Sequence, residues 1–264
     1  MEKKSIAAVK AEYKEIISLG IMEYETEKEK LQAFVENYKA DERSGVVSVL
    51  KSAGKRINDI DNETARVKSM MKFEEKYGED YKSICGVDEV GRGPLAGPVV
   101  TAAVILPPGL IIPYLNDSKQ VNEKRREELY DIIMEKAVAV SVGLRSEKEI
   151  DEMGIAVADS AAMRDSVLGL AVKADMVLVD AFKIPGLDLK QVPIVKGDTL
   201  SVSIAAASII AKVTRDRMMD EYAKQYPEYG FDSNKGYGSA KHIEAIKQVG
   251  PCDIHRRSFI GNFT

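Results

Sequence analysis

Two kinds of apolar spacing divide this chain. Up to about residue 80, apolar positions recur at intervals of three and four, the period of a helix with one buried face. Ile6, Val9, Tyr13, Ile16 and Ile17 share such a face. They predict a helix over residues 6–19, capped by Ser5 and stopped by Gly20. A second helix fits residues 25–38 and buries Leu31, Phe34 and Val35. A third starts after Asp41 as N-cap and runs toward Tyr77, with a break at Gly54. Proline is absent from this part and glycine is rare. Residues 1–80 therefore read as a small all-helical extension, and charges of mixed sign along its faces imply no strong polyanion site.

From residue 81 onward, short apolar runs alternate with helical patterns. Ile84 to Val90 reads as a strand, and residues 99–106 as the next, joined by a Gly-Arg-Gly-Pro connection that suggests a hairpin. A loop through Asn116-Asp117-Ser118-Lys119 precedes an amphipathic helix over Glu123–Lys136 and a strand over 137–144. Ser146 and Glu149 form a cap-like Ser-x-x-Glu at the start of a short helix. A longer helix follows over 155–172, then a buried strand, Met176–Asp180, ending on a carboxylate. A short strand over 191–195 leads through Lys196-Gly197-Asp198 into a long helix over 199–226, whose alanines at 205, 206, 207 and 211 allow close packing. A last helix covers 240–249. Strands mixed with helices on both faces define an α/β layer structure for residues 81–264.

Composition narrows the picture. A chain of 264 residues fits one large domain with an appendage. Its net charge of −4 means that any nucleic-acid-binding surface must gather its basic groups on one face. Two cysteines, Cys85 and Cys252, cannot build a disulfide framework and fit a reducing compartment. No signal-peptide pattern opens the chain, and no apolar run approaches membrane-spanning length. The expectation is a cytoplasmic protein without membrane contact.

The chemistry concentrates between Ile84 and Val100. Charge inside a sheet is costly, so Asp88 and Glu89 at the end of a strand need a reason, and a bound cation is the simplest. Asp180 also ends a strand, where reacting groups collect in open α/β sheets. Asp198 lies just before a helix, where it reads equally as an ordinary cap. Hard oxygen ligands suit Mg²⁺ or Mn²⁺, and four carboxylates could hold two ions at the ~3.5–4 Å spacing of a two-metal phosphoryl site. Competing patterns are weaker. Gly91-x-Gly93-x-x-x-Gly97 has its last glycine one place late for a dinucleotide turn, and Pro94 sits where a helix should open. Cys252-x-x-His255 is half a zinc site without a second pair. There is no Gly-x-Ser-x-Gly elbow.

The run Gly86-Val87-Asp88-Glu89-Val90-Gly91-Arg92-Gly93-Pro94-Leu95-Ala96-Gly97-Pro98 resembles the signature of ribonuclease HII, the type 2 ribonuclease H family. Further matches follow in order: Asp117-Ser118-Lys119, Leu178-Val179-Asp180, Lys196-Gly197-Asp198, the stretch from Ser203 to Asp216, Lys235-Gly236-Tyr237, and His255-Arg256-Arg257-Ser258-Phe259. The sister family, ribonuclease HIII, shares the acids but lacks the Gly-Arg-Gly turn, so Arg92 argues for HII. The resemblance implies a ribonuclease H-like mixed β-sheet flanked by helices, with the N-terminal helices as an extension of weaker resemblance. It implies Asp88, Glu89, Asp180 and Asp198 as catalytic acids and ligands of two Mg²⁺ or Mn²⁺ ions. Gly91, Arg92 and Gly93 would surround the ribonucleotide, with backbone groups sensing the 2′-hydroxyl. Tyr237 would stack on the neighbouring deoxyribose. Ser118, Lys119, Lys196, Lys235, Arg256 and Arg257 would contact substrate, the basic groups at its phosphates. The implied substrates are RNA/DNA hybrids and duplex DNA carrying single ribonucleotides, cut by a monomer with no obligate protein partner. A catalytically idle nucleic-acid-binding module is the competing class, and the full set of acids argues against it.

Overall fold

The computed structural model describes residues 4–262. They form two compact units: residues up to Ser69 with Ile111–Tyr114, and Met70–Leu110 with Leu115 onward. The first contains α1 (Ile6–Ile16), α2 (Tyr24–Tyr38) and nearly all of α3 (Ser44–Met70). Ser5 caps α1 as expected, its hydroxyl accepting from Ala8 N. The helix ends before residue 19 because the Ser18 hydroxyl donates to the Glu15 carbonyl at 2.7 Å, competing with the helical ladder. Helix α3 runs straight through Gly54, where a break was expected. A side chain there would meet nothing within 4 Å, and buried Val46, Val49, Ala53 and Ile60 keep the packed face continuous on either side. The break falls at Met71. Asp41 is not the residue that opens α3; its carboxylate takes the Arg43 guanidinium instead. The unit's core is Val9, Leu31, Phe34, Val46, Val49, Ala53 and Ile60. Glu27, its most deeply buried acid among the described residues, is held by Arg56 in a two-pronged pair at 2.7 and 2.8 Å.

The second unit begins with α4 (Lys72–Tyr77), which belongs to the sheet-bearing part and not to the N-terminal helices. It continues with β1 (Ile84–Val90), β2 (Val99–Ile105), α5 (Glu123–Lys136), β3 (Ala139–Arg145), α6 (Glu147–Met153), α7 (Ile155–Leu168), β4 (Met176–Asp180) and β5 (Lys190–Ile194). After these come α8 (Val202–Gln225), α9 (Phe231–Asn234), α10 (Ala240–Val249) and α11 (Arg257–Ile260). The five strands lie in the order β3-β2-β1-β4-β5. Pairs β3/β2 and β2/β1 are antiparallel, while β1/β4 and β4/β5 are parallel. This is the expected mixed sheet with helices on both faces. Among the described residues no helix is long and apolar enough to cross a membrane.

Alternation along β1 sorts its side chains. Cys85 and Val87 enter the core shared with Met163 and Val167 of α7, whereas Ile84 faces the core containing Ile204 of α8. Gly86 lies on the α8 side, and a Cβ there would sit 2.1 Å from the Ser203 carbonyl carbon. Only glycine lets α8 lie this close to the central strand. Expected helix limits shift by small amounts for local reasons. Helix α7 ends at Leu168 because Gly169 caps it, and α8 opens at Val202 because the Ser201 hydroxyl accepts from Ile204 N. Ser146 and Glu149 form the expected reciprocal cap at α6.

Candidate active site

Register brings the acids together. The β1/β4 ladder pairs Val87 with Val179, so one step further Asp88 and Asp180 fall side by side at the strand ends. Glu89 follows Asp88, and oxygens of Asp88, Glu89 and Asp180 all lie within 4.8 Å of one another. Hard oxygens from three carboxylates at this spacing fit a small divalent cation. The electrostatics point the same way. Asp88, only 5% exposed, is held well above the usual carboxylate range by burial and then by the charges of Glu89 and Asp180. Glu89 is raised by burial as well, against the pull of Arg92. Such mutual repulsion is what a cation among them would relieve.

Asp198 stands just outside this tight group. It lies in the turn Gly197–Thr199 and is not the cap of α8, a role taken by Ser201. Burial and the charges of Asp117 and Asp180 raise its pKa to about 6. The turn is tied to the cluster, since Gly197 N–H donates to Asp180 Oδ1 at 2.7 Å. Lys119 faces Asp117, Asp88 and Asp198.

Residues 91–98 join β1 to β2, and this connection is built from outside itself. Arg256, fully buried, donates to the carbonyls of Gly91, Arg92 and Gly97. Arg215, equally buried, donates to those of Ala96, Pro98 and Lys235. Gly91 has φ +93°, and a Cβ there would sit 2.4 Å from Arg215 Nε. Leu95 N–H reaches the Gly236 carbonyl at 2.8 Å, so the 234–238 loop lies against the same turn. Tyr237, 43% exposed, stands over Gly93, whose Cβ would be 3.9 Å from the ring.

Two residues expected at the substrate surface are elsewhere. Arg256 cannot reach a phosphate, because its guanidinium is spent on turn carbonyls. Ser118 is 4% exposed; its hydroxyl shares a 2.9 Å hydrogen bond with that of Ser208, which also bonds Asp88. Lys235 is half-buried and paired with Asp220. Lys119, Lys196 and Arg257 are exposed, and Lys196 holds a left-handed backbone at φ 59°. Cys252 and His255 are joined within the fold. His242 Nδ1 donates to the Tyr237 carbonyl, so its Nε2 must accept from His255 Nε2 at 2.9 Å. His255 Nδ1 then accepts from Cys252 N–H at 3.0 Å. Burial lowers both histidines, His255 to about 4.

Sequence reasoning missed Ser208, Arg215 and Asp159. Ser208 interrupts the alanine- and isoleucine-rich first half of α8, which was the available clue, whereas Arg215 lies among other charged residues and Asp159 is a single helical acid, and neither stood out. Asp159 lies 3.5 Å from Arg92 Nε.

A mixed sheet carrying carboxylates at adjacent strand ends, beside a glycine-rich turn, defines a metal-dependent nuclease of the ribonuclease H-like class. Comparison with known proteins makes the class specific. The family model for ribonuclease HII matches residues 85–262, and that for the ribonuclease HII N-terminal domain matches residues 21–78. The ribonuclease HII of Lachnoclostridium phytofermentans is 54% identical over 229 residues, 87% of this chain and 90% of that protein. That of Lactobacillus johnsonii is 49% identical over 91% of this chain and 94% of its own. Among solved structures, the ribonuclease H2 from Pyrococcus horikoshii OT3 is 30% identical, with a TM-score of 0.57 over 67% of this chain and 93% of that one. The chain belongs to the ribonuclease HII family, and so to the divalent-metal-dependent endonucleases of ribonuclease H type 2.

Proposed function

We propose that this enzyme cuts the RNA strand of RNA/DNA hybrids and also incises duplex DNA on the 5′ side of a single embedded ribonucleotide. The products carry a 3′-hydroxyl and a 5′-phosphate, and the incision opens ribonucleotide excision repair. One observation carries the reading: Asp88, Glu89 and Asp180 converge within 4.8 Å beside a turn whose Gly93 lies under Tyr237.

Asp88, Glu89, Asp180 and Asp198 are the residues that would hold two Mg²⁺ or Mn²⁺ ions. Ions bound there supply Lewis-acid activation of water and charge stabilisation at the departing 3′ oxygen. The protein does the rest. Ser208, backed by Ser118, fixes Asp88, and the Asp180 carboxylate holds the Gly197 amide so that Asp198 faces the cluster. Exposed Gly93 lets the backbone approach the ribose, Gly91 makes room for Arg215 beneath the turn, and Arg256 and Arg215 keep that backbone still from behind. Tyr237 is free to pack against the next sugar, which favours one lacking a 2′-hydroxyl. Lys119, Lys196 and Arg257 are the exposed cations that meet phosphates. The N-terminal helices up to Ser69 are the extension, and the sheet-bearing unit that begins at Met70 carries the chemistry.

The test is incision of end-labelled duplex DNA containing one ribonucleotide, beside an all-DNA duplex and a long hybrid, with Mg²⁺ or Mn²⁺. Nicking 5′ of the ribonucleotide with no cutting of the all-DNA duplex is expected. Cleavage of the hybrid while the single ribonucleotide is ignored would refute the junction reading.

A further inference from the structure

Asp159 is a carboxylate that the mechanism above leaves unused. It lies on α7, 5% exposed, with Oδ2 3.5 Å from Arg92 Nε. Its Oδ1 has no hydrogen-bond partner. Arg92 also faces Glu89, Nη1 to Oε1, at 3.7 Å. One guanidinium therefore stands between two anions, and only one of them belongs to the acid cluster. A carboxylate buried with half its hydrogen-bonding capacity unmet costs stability. The other buried residues of α7 are Ala158, Ala162, Met163, Ser166 and Val167, so an apolar or small residue would suit this helix face better than an acid.

We propose that Asp159 is a positioning residue that draws the Arg92 guanidinium off Glu89 and so leaves the Glu89 oxygens to a divalent cation. This rests on the reading of Glu89 as a cation ligand. Guanidinium and cation compete for the same carboxylate oxygens. With Asp159 ionised, Arg92 has a second anion to satisfy it. With Asp159→Asn, a substitution of nearly the same shape, Arg92 keeps Glu89 as its remaining anion in this pair of contacts and closes on it. The cation then has to displace a guanidinium in order to bind.

The test is Mn²⁺ binding to the full chain without nucleic acid, followed by calorimetry or electron paramagnetic resonance at one fixed pH above 7, where Asp159 is ionised. Asp159→Asn should weaken Mn²⁺ binding by roughly threefold to tenfold, the scale of one partly exposed ion pair. Arg92→Ala should bind Mn²⁺ at least as tightly as the unsubstituted protein. Arg92 is 42% exposed, so this variant keeps the test open should Asp159→Asn fail to fold. The double variant should match Arg92→Ala, because Asp159 acts through Arg92. Unchanged binding in Asp159→Asn, weaker binding in Arg92→Ala, or a loss that persists in the Arg92→Ala background would each overturn the inference. An unsubstituted protein that binds no Mn²⁺ would defeat the cation reading itself, a result distinct from a normal titration that Asp159→Asn leaves unmoved.

Discussion

Asp180 has two jobs that one substitution separates. Its Oδ1 accepts the Gly197 amide at 2.7 Å, and its carboxylate completes the acid cluster. Asp180→Asn keeps an acceptor for the amide and removes the charge. Cleavage should fall by about 10²–10³-fold or more, while the Kd for substrate, read by fluorescence anisotropy, changes little. A large loss of affinity would contradict the role. The raised acids make a second prediction. Asp159 titrates at about 7 and Asp198 at about 6, both above the ordinary 3.8. Between those values and the ordinary one, the folded form binds more protons than the unfolded chain, so stability falls as pH rises through the window. In EDTA, Tm should therefore decline from about pH 4 to pH 7, and Mg²⁺ should recover much of the loss at the upper end by binding only the folded form. A Tm that rises across that range in EDTA would show the cluster is not strained. The adjacent Asp88 and Glu89 were legible because two acids ending an apolar strand are conspicuous. Asp159 was not, because one acid in a helix is ordinarily solvated and only the fold turns it inward.

Among the elements, the connection 91–98 shows most clearly what sequence could and could not convey. Its glycines announce a turn, and the strands on either side pair as a hairpin would. What holds it comes from α8 and from the segment leading into α11, over a hundred residues away, through buried Arg215 and Arg256. Two adjacent arginines near a chain end look like solvated phosphate contacts, and only the return of the chain shows that Arg256 is interior. Arg256→Ala should cost about 3–5 kcal/mol in urea unfolding, since it strands buried carbonyls. Arg256→Lys should recover little, because an ammonium cannot reproduce the planar fork. A surface-like loss below about 0.5 kcal/mol would refute the structural role. The uninterrupted α3 makes a complementary point: glycine weakens a helix by about 1 kcal/mol, and burial of its neighbours on both sides outweighs that.

At the scale of the whole molecule, the change of apolar period near residue 80 suggests a division there, whereas the border between the two compact units lies elsewhere. It falls at Ser69–Met70, since α4 is bound to the sheet-bearing unit through Glu74, which accepts from the Ser201 hydroxyl at 2.6 Å and from Ser203 N at 3.0 Å. Helical periodicity continues past that border, so pattern alone could not mark it. A chain starting at Met70 should keep its chemistry and bind substrate more weakly. One starting at residue 79 should also lose about 1–3 kcal/mol of stability, because the start of α8 loses its carboxylate. Equal stability of the two truncations would contradict this attachment. The central claim is that strand-end acids, gathered by sheet register, are there to hold divalent ions. Anomalous diffraction from Mn²⁺-soaked crystals tests it most directly. A peak bridging Asp88, Glu89 and Asp180 is predicted; density that avoids these carboxylates, in crystals where Mn²⁺ is bound elsewhere, would contradict it.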